Sequence, residues 1–492
     1  MLFCRILSTR NLSFFAMGGT DGLLYDKIVS MKWTKSQVRT LLVVNSITLI
    51  LFVGILFLPW VNPFFGGTKP VDADPEPPPV NSAVHDPLRS PRPAADSALA
   101  WETNLGGSGN ETVVAAFETA SGVLIFGNTE SSDYDFKDKT PGGFVILLGF
   151  NGKVVNYLMY EGEIAKVYGL DDGFLLCVNS ATECLLLRTD SLGIGTGRVN
   201  LREAETEKII DVYTDWFSAN QESEPFHAVV EYQNPNTGYK ELRVHALSDK
   251  LEERYKRWFS RSQSLEYVAA YSHPNGFFLL ANIKGLNTSM LTYYNWRKNS
   301  STENDFNNLT LQLIDRYTCE AVIPAGANRY AALIRTADNI PYFIDCNQDF
   351  TRHPIHELGA APAEKVMLLS DNETVYVYVY RAGDISALFR FDETLAVIDE
   401  VAAFKKFSDL YCHTLTSRGT LFCGRTVNGV TVAGVNQNGV AWERAFNSQN
   451  ETIRACIETN GGLILIGEST GKGYNVGGNF GGSDIWAAKL LF

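Results

Sequence analysis

The chain has 492 residues, 45% of them hydrophobic and 20% charged, with a formal net charge of −13 and a sequence pI near 5.1. This balance excludes a disordered chain, and with no Lys/Arg run in the folded part it also excludes a nucleic-acid-binding surface. Forty-one glycines and 29 phenylalanines favour many turns and strands, hence a β-rich fold.

Residues 1–38 show no usable periodicity and read as a cytoplasmic segment. The compact MKWTKSQVR beginning at Met31 has the character of the head of a membrane anchor, which makes Met31 a candidate initiator. No charged residue lies between Arg39 and Lys69. Residues 39–61 are predicted to form one transmembrane helix, since their apolar core, Thr40 to Val61, has about the 20 residues a bilayer requires. Trp33 and Trp60 bracket it at interfacial depth, and Lys32, Lys35 and Arg39 precede it. By the positive-inside rule the N-terminus stays in the cytoplasm of a plasma-membrane protein and everything after residue 61 lies outside. The sequence after Pro59 offers no small-residue cleavage site, so an uncleaved anchor is favoured over a signal peptide. Residues 62–96 are proline-rich and predict an extended extracytoplasmic linker.

Residues 97–492 form the predicted head, and its two ends repeat one another. WETNLGGSGNETVVAAFETASGVLIFGNT from Trp101 lies over WERAFNSQNETIRACIETNGGLILIGEST from Trp442. Asn110-Glu111-Thr112 matches Asn450-Glu451-Thr452, Thr119 matches Thr459, Gly127 matches Gly467, and Gly142-Gly143 is aligned with Gly481-Gly482. Short apolar strands recur at 122–127, 173–178, 226–232, 276–282, 329–335, 374–380, 419–424 and 462–467. Their spacing of roughly 43 to 52 residues is that of four-stranded propeller blades. Their continuous apolar character fits strands packed on both faces. The expected fold is all-β: an eight-bladed propeller, with seven blades as the alternative because the central copies are degenerate. GGSDIWAAKL (481–490) reads as a third strand without a fourth, and SALAWETNL (97–105) as a fourth strand without a blade. Pairing the two closes the ring and removes an open edge.

A tryptophan strand, GGSGNE, T-x-x-G-x-x-x-x-G and then GGSDIW-x-x-KL together resemble the repeats of bacterial cell-surface β-propeller proteins of the WD40/PQQ-like superfamily. The resemblance covers the terminal copies and fades over residues 160–410. It implies a propeller with a binding or scaffolding role, and no shared reaction, cofactor or catalytic residue.

Other motifs carry less. GESTGKG (467–473) is one residue short of a phosphate loop and sits in a strand-to-strand context. GIGTG (193–197) has no following helix and reads as a hairpin turn. His353 and His356 are three apart around a proline, which reads as a surface loop and not a zinc site. Asp133, Asp135 and Asp138 alternate as in a calcium loop, but Lys137 and Lys139 interrupt them and no terminal Glu follows. Asn-x-Ser/Thr sites at Asn110, Asn287, Asn299, Asn308, Asn372 and Asn450 read as incidental in bacterial-type repeats. Cys412 and Cys423 flank one turn, and Cys177 and Cys184 another. Each pair is either a cross-strand disulfide or two small buried hydrophobes. No catalytic, cofactor or metal residue is assigned. The expected function is a membrane-anchored extracytoplasmic module whose loops bind a protein or glycan. The alternative is a propeller-type enzyme acting on an envelope or extracellular glycan.

Overall fold

The computed structural model describes residues 99–491 except 215–225, 261, 274–275, 296–308, 325–328, 348–351, 371–373, 382–384, 393–396, 401–406, 418, 437–438, 447–449 and 472–479. The segment 1–38, the span 39–61, the linker 62–96, the start of SALAWETNL and Asn299, Asn308 and Asn372 lie outside the described residues. Among the described residues no helix is long and apolar enough to cross a membrane.

Among the described residues thirty-two strands form eight four-stranded antiparallel sheets. Seven are continuous in sequence: 111–160, 163–200, 208–259, 265–315, 318–357, 365–400 and 407–446, blades 1 to 7. The eighth takes three strands from the C-terminal end and its fourth, Leu99–Leu105, from the other end of the head. First strands of successive sheets lie side by side around most of the ring. Eight sheets so arranged are a β-propeller of eight blades, the larger of the two expected numbers.

The recurrent apolar strands are the second of each blade. In Gly462–Ser469 every residue is buried, because neighbouring blades cover both faces. Hydrophobic clusters accordingly lie between blades: Leu124, Phe126 and Leu158 of blade 1 pack with Phe174, Leu176 and Leu187 of blade 2. The first strands are more open, with Glu111–Thr119 only partly buried along most of its length.

Seven of the eight first strands carry a register shift near their start, for example between Val113 and Ala115 and between Ile453 and Ala455. This bulge explains the repeated glycine. A Cβ on Gly127 would stand 2.2 Å from the Thr112 carbonyl oxygen, and one on Gly467 would stand 1.7 Å from that of Thr452. Only glycine admits so close a backbone. The repeated T-x-x-G is a turn lock: the hydroxyls of Thr119, Thr416 and Thr459 donate to the carbonyls of Gly122, Gly419 and Gly462 at 3.1, 2.8 and 3.3 Å.

The residue after Gly127, and its register equivalent in other blades, clasps the next blade. Asn128 accepts from the Ile164 amide at 2.7 Å and donates to its carbonyl at 3.0 Å. Asn179 does the same to Ile209, at 2.8 and 2.8 Å, and Asn282 to Cys319, at 2.9 and 2.9 Å. Each target is the bulged start of the following first strand.

Two alignments are corrected by strand register. Thr129 pairs with Gly142, and the equivalent Ser469 pairs with Asp484, so Gly142 is equivalent to Asp484 and not to Gly481. The glycine pairs serve different ends: Gly142-Gly143 starts a strand, whereas a Cβ on Gly481 would meet the Ser108 backbone across the seam at 2.1 Å. Cys412 does face Cys423, but Cys184 faces Asn179 and Cys177 faces Leu186, so the second pair is not cross-strand. All four are free thiols.

Candidate functional site

The seam between blade 8 and blade 1 gathers the most side-chain chemistry. Leu99–Leu105 pairs antiparallel with Asp484–Leu491, bringing Trp101 opposite Lys489 and Leu105 opposite Ile485. The Trp486 indole donates to Glu102 Oε1 at 2.7 Å, and the Asn104 amide donates to Asp484 Oδ2 at 2.7 Å. The Glu111 amide donates to the Ser483 carbonyl at 2.7 Å, and the Ser483 hydroxyl donates back to the Glu111 carbonyl at 2.8 Å.

GGSG, repeated in no other copy, becomes a cradle here. The amides of Gly106, Gly107, Ser108 and Gly109 donate in turn to Asp135 Oδ2, Glu111 Oε2, Asp133 Oδ1 and Ser131 Oγ at 3.0, 3.0, 2.8 and 2.9 Å. Glycine is needed for close approach: a Cβ on Gly106 would fall 2.1 Å from Asp484 Oδ1 and 2.8 Å from Glu111 Oε2. Successive amides converging on anions are a standard way for backbone to stabilise negative charge. The Ser108 amide accordingly holds the Asp133 carboxyl below its ordinary value.

The acids thus have structural work, and the alternating Asp133 and Asp135 are amide acceptors within their own seam. Among the described residues no group of three His, Cys, Asp or Glu side chains is placed to hold a metal ion. Buried carboxyls collect in the closing blade. Burial raises Glu102 and Glu451, and burial aided by the charges of Glu111 and Asp135 pushes Asp484 up to about 6. Asp484 Oδ1 is buried without a hydrogen-bond partner.

Outside this cradle the 130–141 loop presents its surface. Phe136 is buried against Phe144, ring centroids 5.5 Å apart, and anchors the loop. Tyr134 and Asp138 hold φ of 48° and 61°, left-handed values that non-glycine residues adopt rarely. Tyr134 is 56% exposed and its ring lies 4.8 Å from that of Phe480. Glu130 accepts from the Asn110 side chain at 2.7 Å. The result is a tethered acidic loop crowned by an exposed aromatic residue.

Turns joining first to second strands border an open cavity of about 720 Å³, lined by Glu118, Ser417, Glu458 and Asn460 together with Phe150 and Lys489. Ser417 holds Glu458 through its amide at 2.7 Å and through its hydroxyl.

The remaining motifs fall on scaffold. Gly193 to Gly197 contains the turn between the third and fourth strands of blade 2, with the Leu192 and Ile194 amides capped by Asp190 Oδ1. Gly467, Glu468 and Ser469 belong to the second strand of blade 8, while Lys472 and Gly473 lie outside the described residues. His353 and His356 are not in a loop; both lie in the outer strand Arg352–Glu357 of blade 5. Proline is tolerated there because an outer strand leaves one side of its backbone unpaired. Sequence reasoning missed the blade clasps and the amide cradle, although GGSG followed by Glu111 was the signal for the second.

The protein is therefore an eight-bladed β-propeller whose ring is shut by strands from opposite ends of the head. No protein-family model and no curated protein matches its sequence. Among solved structures it is similar to BamB from Moraxella catarrhalis, at 10% identity over 77% of this chain and 96% of that one, with a TM-score of 0.41. The Dos1 propeller gives 10% identity over 79% and 95%, with a TM-score of 0.41. The dihydro-heme d1 dehydrogenase NirN gives 12% over 70% and 73%, with a TM-score of 0.42. At that level of likeness, the fold assignment rests on the eight sheets themselves.

Proposed function

We propose that this chain is a binding or scaffolding module, held at the plasma membrane by residues 39–61 with its propeller outside, and that its partner is a protein docking on the loops of the blade 8–blade 1 seam. One observation carries the reading: an exposed, backbone-strained Tyr134 stands on an acidic loop whose Asp135, Asp133 and Ser131 are tied to the amides of Gly106, Ser108 and Gly109. Rigid loops with an exposed aromatic residue are suited to recognition, because little entropy is lost on docking. The acidic rim of Glu130, Asp133, Asp135 and Asp138 favours a basic segment on the partner. A glycan-directed enzyme stands second. Glu118 and Glu458 line one cavity, but Glu458 is engaged by Ser417, and the raised carboxyls Glu102, Glu451 and Asp484 lie in the closing blade.

The test is affinity capture from detergent-solubilised envelope with the tagged full chain, wild type against Tyr134→Ala and Asp133→Asn. A protein recovered with wild type and depleted at least about tenfold with Tyr134→Ala supports the seam as the docking face. Undiminished capture overturns that placement, and recovery of glycan alone overturns the protein partner. Protease protection of the propeller in intact cells would overturn its outside location.

A further inference from the structure

Three thiols meet where blade 7 joins the closing blade. Cys412 and Cys423 are directly opposed on the first and second strands of blade 7. Opposed residues of antiparallel strands have Cα atoms roughly 4.5 to 5.5 Å apart, within the span a disulfide accepts. The first strand here has two register shifts, the second immediately before Cys412, whereas the other first strands have at most one. A bulge re-aims the side chain that follows it. The third thiol comes from the neighbouring blade: Cys456 is on the strand Glu451–Thr459 and packs in the same cluster as Cys423 and Cys412. Cys423 and Cys456 are buried and Cys412 is half-buried. All three join one hydrophobic cluster with Leu421, Val432, Ile453 and Trp486.

We propose that Cys412, Cys423 and Cys456 form a thiol–disulfide exchange site in which Cys423 is the shared partner and whose oxidation staples blade 7 to the closing blade. Cys412 is the thiol that solvent reaches. Cys423 is buried, and its thiol neighbours together with that burial hold it well above its ordinary value, so reaction starts at the half-buried Cys412. With hydrogen peroxide as oxidant, the Cys412 thiolate attacks one oxygen, the O–O bond breaks, and the departing hydroxide takes a proton to become water. The Cys412 sulfenic acid that forms is then attacked by Cys423 sulfur, which gives up its proton. The S–O bond breaks, a second water leaves and a Cys412–Cys423 disulfide remains. Two thiols have lost two electrons and peroxide has gained them. Cys456 then attacks Cys423 sulfur as a thiolate. The bond to Cys412 breaks, Cys412 leaves and takes up the proton that Cys456 released, and a Cys423–Cys456 disulfide spans the two blades.

Peptide mapping of the full chain decides the matter. Trypsin places the three cysteines on separate peptides, 407–418, 419–425 and 455–472. The reduced protein is treated with hydrogen peroxide, unfolded, alkylated with iodoacetamide and digested. Expected are two linked pairs, 407–418 with 419–425 and 419–425 with 455–472, both removed by dithiothreitol. C423S loses both pairs, C456S keeps only the first, and C412S loses the first and sharply slows the second. The melting midpoint of the oxidised protein rises and returns on reduction. Full alkylation of all three cysteines after peroxide overturns the proposal, as does a pair formed between 407–418 and 455–472 alone. An unchanged melting midpoint with the second pair present overturns the staple. If C423S does not fold by circular dichroism, the wild-type map and C456S still decide.

Discussion

The backbone amide of Val113 donates to Glu468 Oε1 at 2.9 Å across 355 residues of chain. Glu468 occupies the position that Asn128, Asn179 and Asn282 hold in other blades, so this is the same clasp, made with a carboxylate where the ring closes. Arg454 pairs with that carboxylate at 2.9 Å. Glu468→Ala leaves a buried amide without its acceptor and is expected to cost about 1–3 kcal/mol in urea denaturation. Glu468→Gln retains an acceptor and is expected to cost less. Equal losses would show that the charge, and not the acceptor, is what matters.

Gly467→Ala places a Cβ 1.7 Å from the Thr452 carbonyl oxygen. The bulge must open to admit it, at a cost of about 1–3 kcal/mol or more. Gly195, with no atom within 4 Å of its Cβ position, is the control, and Gly195→Ala should stay within about 0.5 kcal/mol. Denaturation midpoints of the two variants check the difference.

Removal of residues 97–105 takes away the outer strand of blade 8 and exposes the edge of Asp484–Leu491. Thermal melting should show a far larger loss than for a change at Val427, which is 87% exposed. Trp101→Ala, a milder lesion, deletes a buried indole that donates to the Phe150 carbonyl at 3.0 Å and should cost about 3–5 kcal/mol. A truncated chain that melts unchanged would refute closure by this strand.

Two buried groups give opposite pH dependences. Burial lowers His227, stacked 5.0 Å from Tyr213, from 6.5 to about 3. Between those values the unfolded chain holds a proton that the folded chain refuses, so stability falls as pH drops from about 6.5, by up to roughly 5 kcal/mol near pH 3. Asp484 is the reverse. Raised from 3.8 to about 6, it binds a proton more tightly when folded, so its charge opposes folding above pH 6 by roughly 3 kcal/mol. Asp484→Asn should therefore raise the melting midpoint at pH 7–8 and have little effect at pH 4. A uniform shift across that range would contradict an Asp484 carboxyl raised by burial and by the charges of Glu111 and Asp135.

The blades and the closure were legible in the sequence because both rest on local signals: apolar second strands, an orphan tryptophan strand at 97–105 and a last blade lacking its fourth strand at 481–490. Cys412 opposite Cys423 followed from symmetry about a short turn. The same logic fails for Cys177 and Cys184, because the turn closes through Ser180 and Glu183, with Cys184 one residue beyond it and Cys177 three before it. The glycine match at 481–482 fails for a related reason, since loops of different length use glycine for different contacts. The clasps were invisible for another cause. Asn, Glu and Arg can each hold the position after the repeated glycine, as Arg425 does by donating to the Glu451 carbonyl, and the contact exists only between blades. The amide cradle likewise depends on a loop some 20 to 30 residues distant meeting GGSG in space.

The closing strand also sets the order of events during synthesis. Glu102 meets Trp486 only after 384 further residues have been made. The first strand of the head to leave the ribosome is thus the last to be paired, and blade 1 must wait with its seam face uncovered while seven others fold behind it. Contacts so distant in sequence form slowly, and an unpaired strand is prone to find a wrong edge in the meantime. Folding of this ring is gated by its final eight-residue strand, Asp484–Leu491, and a ribosome stalled before it releases an open arc in place of a ring.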